Sequence, residues 1–430
     1  MSVAADQVAE RSSLWERVTA ARAETKVATA AFAAIALHVL DDTFFQPEPG
    51  TSAADNLVSG LVPLAILVGA GVAYPRLRPG LRAALATVLG LFGLVAGSVE
   101  AIYYGLDEGL SGDDFTGLLA AAGGLVLLLL ATHTAWRGRR RDGSRLRRCG
   151  VRAALVVVWA LAGFFLLMPL FLSYGFTHVA RLETPSGNLG APYEAVAFHA
   201  RDGLRLDGWF VPSRNGATVI VYPGKKGTQN HARMLVRHGY GVLVFDRRGE
   251  GTSEGDPNAL GWGFDQDLLG AVDYLRGRGD VDPRRIGGLG LSVGGEAFLQ
   301  TAAETSRLGA VVSDGAGSRS VREDTVRTSM QKLPEILFSG VMTAGMAVFS
   351  DRLPPPSLET LAGRVETPVF LIYATNGAGG EDNQPQYYAA LRGPKQIWKI
   401  DTSHTHGLSA RAREYGRRVT AFFDRTLLGG

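Results

Sequence analysis

Four stretches of this chain, Leu57 to Tyr74, Ala83 to Tyr103, Phe115 to Trp136 and Val151 to Tyr174, are nearly unbroken apolar runs. Each is close to the roughly 20 residues a helix needs to cross the hydrocarbon of a bilayer. Lipid offers no partner to peptide groups, so runs of this kind must fold as helices. A fifth run, Val27 to Leu40, precedes them and is shorter. It reaches across if Lys26 snorkels and Asp41, Asp42, Phe44 and Phe45 sit at the far interface; an interfacial or re-entrant helix is the alternative. No small-x-small cleavage site follows it and more hydrophobic runs come after, which argues against a cleaved signal.

The loops between the runs differ in sign. Arg76, Arg78 and Arg82 fill one; Arg137, Arg139, Arg140, Arg141, Arg145, Arg147 and Arg148 fill another. Asp41, Asp42, Glu48 and Asp55, then Asp107, Glu108, Asp113 and Asp114, occupy the other two. Arginine-rich loops stay cytoplasmic, so the last run exits outward. The expected organisation is a cytoplasmic tail over 1–26, about five transmembrane helices over 27–178 and an extracytoplasmic domain over 179–430, in a multi-pass protein of the cell membrane. A net charge of +3 with arginines gathered in these loops reflects topology and not a nucleic-acid partner. The lone cysteine, Cys149, excludes an intramolecular disulfide framework and any cysteine-rich metal site. His38 and His133 fall near opposite ends of their runs and cannot share a metal, and Glu100 sits at an interface beside tyrosines. Gly93 and Gly97 form a Gly-x-x-x-Gly that lets helices approach.

Beyond Val179 the pattern changes to short apolar strands alternating with polar helices. Strands are predicted over Ala195 to His199, Leu204 to Phe210, Ala217 to Tyr222, Gly241 to Asp246, Arg285 to Leu289, Gly309 to Ser313, Pro368 to Ala374 and Gln396 to Ile400. Helices are predicted over Gln229 to His238, Phe264 to Arg276 and Leu408 to Thr426. The first two strands form a hairpin around Arg201-Asp202-Gly203, and the later ones fit right-handed parallel crossovers. The fold class is therefore an α-helical membrane bundle followed by a doubly wound α/β domain.

Within that domain Gly290-Leu291-Ser292-Val293-Gly294 follows a strand and opens a helix. Small residues two positions to either side allow a sharp turn that pushes Ser292 out at the top of the sheet, with the amide of Val293 aimed where an acyl oxygen gains charge. No Gly-Lys-Ser/Thr ending is present, so this is not a Walker loop. No metal constellation or dinucleotide fingerprint appears either, and no cofactor is implied.

Four stretches together, Arg201-Asp202-Gly203-Leu204, the loop from Asp246 to Gly255 (Asp-Arg-Arg-Gly-Glu-Gly-Thr-Ser-Glu-Gly), the Ser292 turn and Ser403-His404, resemble the α/β-hydrolase superfamily. The resemblance is nearer to its bacterial serine hydrolases, with serine aminopeptidase-like and dienelactone-hydrolase-like domains, and runs from Tyr193 to Leu428. It implies a mostly parallel eight-stranded sheet and a chain order of serine, acid and histidine. His404 then stands at the position of the base, with His406 a rim residue. Many relatives place an aspartate near Gly377; here the loop reads Thr375-Asn376-Gly377-Ala378-Gly379-Gly380-Glu381-Asp382-Asn383. Glu381 is the expected acid after a glycine-rich bend and Asp382 the alternative; either could instead cap the helix near Pro385. Gly224 permits the tight turn after Tyr222-Pro223, and the amide of Lys225 is the expected second oxyanion donor. Asp246 and Arg248 are read as loop braces. The insertion from Asp314 to Thr367 is expected to form a cap.

The implied activity is hydrolysis of a carboxylic ester through a Ser-His-acid acyl-enzyme, with a small-molecule ester or peptide as substrate and the lipid bilayer as partner. A peptidase, aminopeptidase or amidase of the same fold is the alternative within this chemistry. An inactive membrane interaction or sensor protein is the alternative outside it. Nothing in the sequence speaks to oligomeric state.

Overall fold

The computed structural model describes residues 2–98, 112, 114–137, 145–179, 181, 184, 187–223, 225–319, 323 and 333–429. Gly224, Glu100, Tyr103, Asp107, Glu108, Asp113 and Arg139, Arg140 and Arg141 lie outside the described residues. The chain divides into two compact units, one of residues 1–47, 52–175 and 348–351, the other of residues 48–51, 176–347 and 352–430.

The first unit is helical: α1 Ser2–Leu40, α2 Leu57–Ala73, α3 Pro79–Ser98, α4 Asp114–Arg137, α5 Arg145–Ala162 and α6 Met168–Thr177. α1 runs unbroken through the segment read as a tail. α5 and α6 are joined through a widened turn at Gly163–Leu167. Five stretches, Arg22–Phe45, Leu57–Arg76, Pro79–Ser98, Asp114–Arg137 and Cys149–Thr177, are long and apolar enough to cross a membrane. Glycine sets how closely α1, α3 and α4 approach. A Cβ at Gly124 would come within 2.5 Å of the Gly90 carbonyl, and one at Gly93 within 2.5 Å of Ile35 Cδ1. Gly97 likewise meets the carbonyl of Gly117, so both members of the Gly-x-x-x-Gly are packing residues. Polar side chains collect at the two ends of this bundle. Glu24 accepts the hydroxyls of Tyr74 and Thr134, each at 3.3 Å. His38 is bonded at 3.3 Å to Thr116, which donates to Asp41 at 2.9 Å.

The second unit is an eight-stranded sheet with the order β1-β2-β4-β3-β5-β6-β7-β8. Its strands are β1 Glu194–His199, β2 Arg205–Val211, β3 Thr218–Tyr222, β4 Gly241–Phe245, β5 Ile286–Leu291, β6 Ala310–Asp314, β7 Val369–Asn376 and β8 Lys395–Ser403. β2 is antiparallel to β1 and to β4; the remaining pairs are parallel. The helices are α7 Lys225–Arg237, α8 Phe264–Gly277, α9 Val293–Glu304, α10 Leu333–Phe349, α11 Leu358–Ala362, α12 Gln384–Ala390, α13 Gly407–Ala410 and α14 Ala412–Phe423. All eight strands stand where the alternation of the sequence places them, with ends shifted by a few residues. β8 runs three residues past the predicted end, because its ladder with β7 continues to Asn376 and Ser403. α7 starts four residues earlier than predicted, so Lys225 opens the helix and is not a loop residue. The single helix predicted over Leu408 to Thr426 is broken at Arg411, the residue between α13 and α14.

Buried side chains cover both faces of the sheet. Ile220 and Tyr222 point to the core shared with α8, α9 and α11, whereas Val219 and Val221 point to the core shared with α7 and α14. Each such fully buried aliphatic stabilises the fold by about 1.5–3 kcal/mol relative to an exposed one. Strand order reverses where β3 lies between β4 and β5, and in doubly wound sheets ligands bind beyond the carboxyl ends of strands at such a switch point. Ser292 follows β5 at that place.

Candidate active site

Ser292 has φ 52° and ψ −123°, a left-handed backbone for a residue that bears a Cβ. Three contacts hold it there. Its amide donates to the Asp314 carbonyl at 2.8 Å, across from β5 to β6. Gly290 crosses so near the carbonyl of Gly294 that a Cβ would collide with it, and a Cβ at Gly294 would lie 2.8 Å from the Tyr222 carbonyl. The two elbow glycines are thus demanded by backbone packing. The Val293 amide belongs to the first turn of α9, where no helical carbonyl is available to it. The Lys225 amide has the same status at the start of α7, which follows Tyr222 and Pro223.

His404 comes directly after β8. Its Nε2 is 2.9 Å from Ser292 Oγ, and its Nδ1 is hydrogen-bonded to Glu381 Oε1. A carboxylate at Nδ1 keeps the proton on that nitrogen and leaves Nε2 to accept the serine proton. Glu381 is 2% exposed and also accepts the amides of Ala374 at 2.8 Å and Ala378 at 3.3 Å. Burial works to raise its pKa; the hydrogen bonds from His404 and the two amides outweigh burial and hold the carboxyl below its ordinary value. The same hydrogen bond raises the pKa of His404 against the opposing pull of burial.

The bend that returns Glu381 uses Gly379 and Gly380, both at positive φ. A register shift between Ala374 and Asn376 turns the end of β7 as it pairs with β8. The space Glu381 enters is the one a side chain at 377 would need: a Cβ on Gly377 would lie 2.7 Å from Glu381 Cδ and 2.8 Å from Oε2. Asp382 is exposed, and His406, also exposed, bonds through Nδ1 to the carbonyl of His404.

Bracing residues surround these groups. Arg248 is 1% exposed and donates to both Asp202 and Asp267; Tyr222, the last residue of β3, donates to Asp267 at 2.9 Å. The hairpin of Asp202 therefore does more than build the sheet: it anchors the Asp246–Gly255 loop. Asp246 accepts the Thr184 hydroxyl at 2.5 Å. Glu296, one turn into α9, accepts the Gly317 amide at 3.2 Å and pairs with Arg319 at 3.3 Å; burial pushes its carboxyl up to about 7. Sequence reasoning missed Glu296, Arg319, Asp314 and Tyr415, because their partners are distant in the chain and share no motif. Among the described residues no group of three or more His, Cys, Asp or Glu side chains could hold a metal.

Known proteins resemble this chain to different extents. The pattern of the X-Pro dipeptidyl-peptidase (S15) family matches residues 190–363, a range that includes Ser292 and ends before Glu381 and His404. The uncharacterized protein YfhR of Salmonella typhi is 30% identical over 256 residues, which are 56% of this chain and 85% of that protein. The alpha/beta hydrolase domain-containing protein WAV2 of Arabidopsis thaliana is 34% identical over 120 residues, 26% of this chain and 38% of that one. Among solved structures, the Pyrococcus furiosus esterase Pf2001 superposes with a TM-score of 0.46 at 23% identity, covering 58% of this chain and 100% of its own.

Proposed function

This chain is a hydrolase of the α/β-hydrolase superfamily, and from that premise we propose that it is a membrane-anchored serine hydrolase that cleaves a carboxylic ester through an acyl-enzyme. The observation that carries the reading is the hydrogen-bonded order Ser292, His404, Glu381. Ser292 Oγ attacks the ester carbonyl carbon while His404 Nε2 takes its proton. The amides of Val293 and Lys225 stabilise the oxyanion. The carbon–oxygen bond to the alcohol then breaks, and His404 returns the proton to the departing oxygen. Water repeats the sequence on the acyl-serine, releasing the acid and restoring Ser292. Glu381 keeps the imidazole oriented and stabilises its cation. An ester is the less demanding substrate, since an alcohol leaves more readily than an amine. The S15 match favours an amide or peptide bond as the second reading.

Five apolar helices and the arginine loops support a bilayer anchor, with the hydrolase unit on the extracytoplasmic side. A fluorophosphonate probe applied to membranes carrying the full chain tests the chemistry. Labelling is expected in the wild type and absent in Ser292→Ala; well-folded wild-type protein that stays unlabelled favours the inactive sensor and overturns the enzyme. Comparison of p-nitrophenyl esters with aminoacyl p-nitroanilides separates the two substrate classes.

A further inference from the structure

Asp314 closes β6 and is 2% exposed. Three of its connections reach the proposed catalytic residues from different directions. Its carbonyl accepts the Ser292 amide, so residue 314 holds the peptide that carries the strained serine. Its Oδ2 accepts the hydroxyl of Tyr415 at 2.7 Å. Tyr415 is fully buried on α14, and its ring lies against Gly407, where a Cβ would be 3.0 Å from Cδ2 and Cε2. Gly407 opens α13 immediately after the turn of His404, Thr405 and His406. The third connection is through the neighbouring residue. Gly315 runs beneath the imidazole, where a Cβ would stand 3.1 Å from His404 Cε1 and 3.3 Å from Nδ1. Thr405 has φ 54°, a backbone that persists only when its surroundings over-determine it.

We propose that Asp314 and Tyr415 are positioning residues for the reaction: the buried hydrogen bond between them fixes the His404 loop relative to the Ser292 amide. The inference rests on the serine-hydrolase reading and adds two residues that the triad does not include. The groups facing Asp314 are Tyr415 from α14, Glu381 from the loop after β7 and His404 from the turn after β8. Burial pushes the Asp314 carboxyl up to about 7; the Tyr415 hydrogen bond lowers it, the charge of Glu381 raises it and that of His404 lowers it. His404 in turn faces Glu381, Asp314 and, from α9, Glu296, all of which raise its pKa.

The test is the pH dependence of kcat/KM for p-nitrophenyl butyrate, measured on the full chain in membranes for the wild type, Tyr415→Phe and Asp314→Asn. Removing the hydroxyl leaves Asp314 neutral to higher pH, and the asparagine has no charge at any pH. In both variants the turn of His404 loses its tie to β6, and the Glu381 hydrogen bond that raises the imidazole pKa loosens with it, so the acid limb should move to lower pH. Looser alignment should lower kcat/KM by roughly 10- to 100-fold. The two variants back each other: one keeps the ring that packs on Gly407, the other keeps the size and hydrogen-bonding shape of the carboxylate. An acid limb unmoved in both, whatever the loss in rate, overturns the proposal and leaves the triad standing. A wild type without Ser292-dependent hydrolysis overturns the serine-hydrolase reading, and this inference with it.

Discussion

Two residue positions compete for one carboxylate site. Because the Glu381 carboxyl fills the space in front of Gly377, an acidic side chain at 377 and one at 381 cannot both be accommodated. The expected behaviour is reciprocal. Glu381→Ala should lower kcat by roughly 10³-fold through loss of the group that orients the imidazole. Gly377→Asp alone should also lose activity, from collision with Glu381. The double variant Gly377→Asp/Glu381→Ala should recover at least about tenfold over Glu381→Ala, within what a positioned acid contributes. Initial rates of ester hydrolysis, with a thermal melt to check folding, decide it; no recovery in a folded double variant would mean that position 377 cannot deliver a carboxylate to His404. The glycines of the serine turn were legible in the sequence because a backbone crossing excludes side chains at fixed spacing. Glu381 was legible only as a choice between neighbours, since a one-dimensional pattern does not say which of two adjacent carboxylates the bend turns inward. Asp314 and Tyr415 were not legible: they are 101 positions apart and meet only because β6 and α14 pack on each other.

At the scale of elements, periodicity located every strand of the sheet, and the errors concern where elements start and stop, together with the break at Arg411 that splits the last predicted helix in two. β8 lengthened because its partner supplied further ladder bonds, and α7 began early because a helix can open on lysines as readily as on the predicted glutamine. That helix carries a liability of its own. His231 on α7 is 5% exposed, neither ring nitrogen meets a hydrogen-bond partner, and its ring stands edge-on to Tyr415 at 5.6 Å. Burial alone lowers its pKa to about 4. Between pH 6.5 and 4 the unfolded chain therefore binds a proton that the folded chain refuses, so stability contributed at this site falls as pH falls through that window, by about 3 kcal/mol at most. His231→Phe should remove this term. Its melting temperature relative to the wild type is expected to rise steadily as pH is lowered from 7 to 4.5; a constant difference would assign the acid sensitivity elsewhere. The raised carboxyls of Glu296 and Asp314 act in the opposite sense, retaining protons that the unfolded chain releases, and they cancel in the comparison because both proteins carry them.

For the whole molecule, the sequence divides cleanly by composition because lipid and water ask for different patterns: long runs in one half, alternation in the other. The proposed orientation places Cys149, exposed and unique in the chain, at the arginine-rich cytoplasmic end of the last span. A membrane-impermeant maleimide should label it only after cells are opened, while external protease should remove the hydrolase unit from intact cells. Labelling of Cys149 in intact cells would reverse the assignment. That last span differs from its companions in how little it touches them: only 6% of its apolar window is buried, against 28–39% for the other four. In the proposed bilayer anchor such a helix faces lipid along most of its length. The four preceding helices are nonetheless not separable cargo: residues 48–51, between α1 and α2, belong to the hydrolase unit, where Glu48 pairs with Arg181 and Pro49 accepts the Gly255 amide, so a gene shortened to begin near Arg145 would remove part of the reactive unit with the helices.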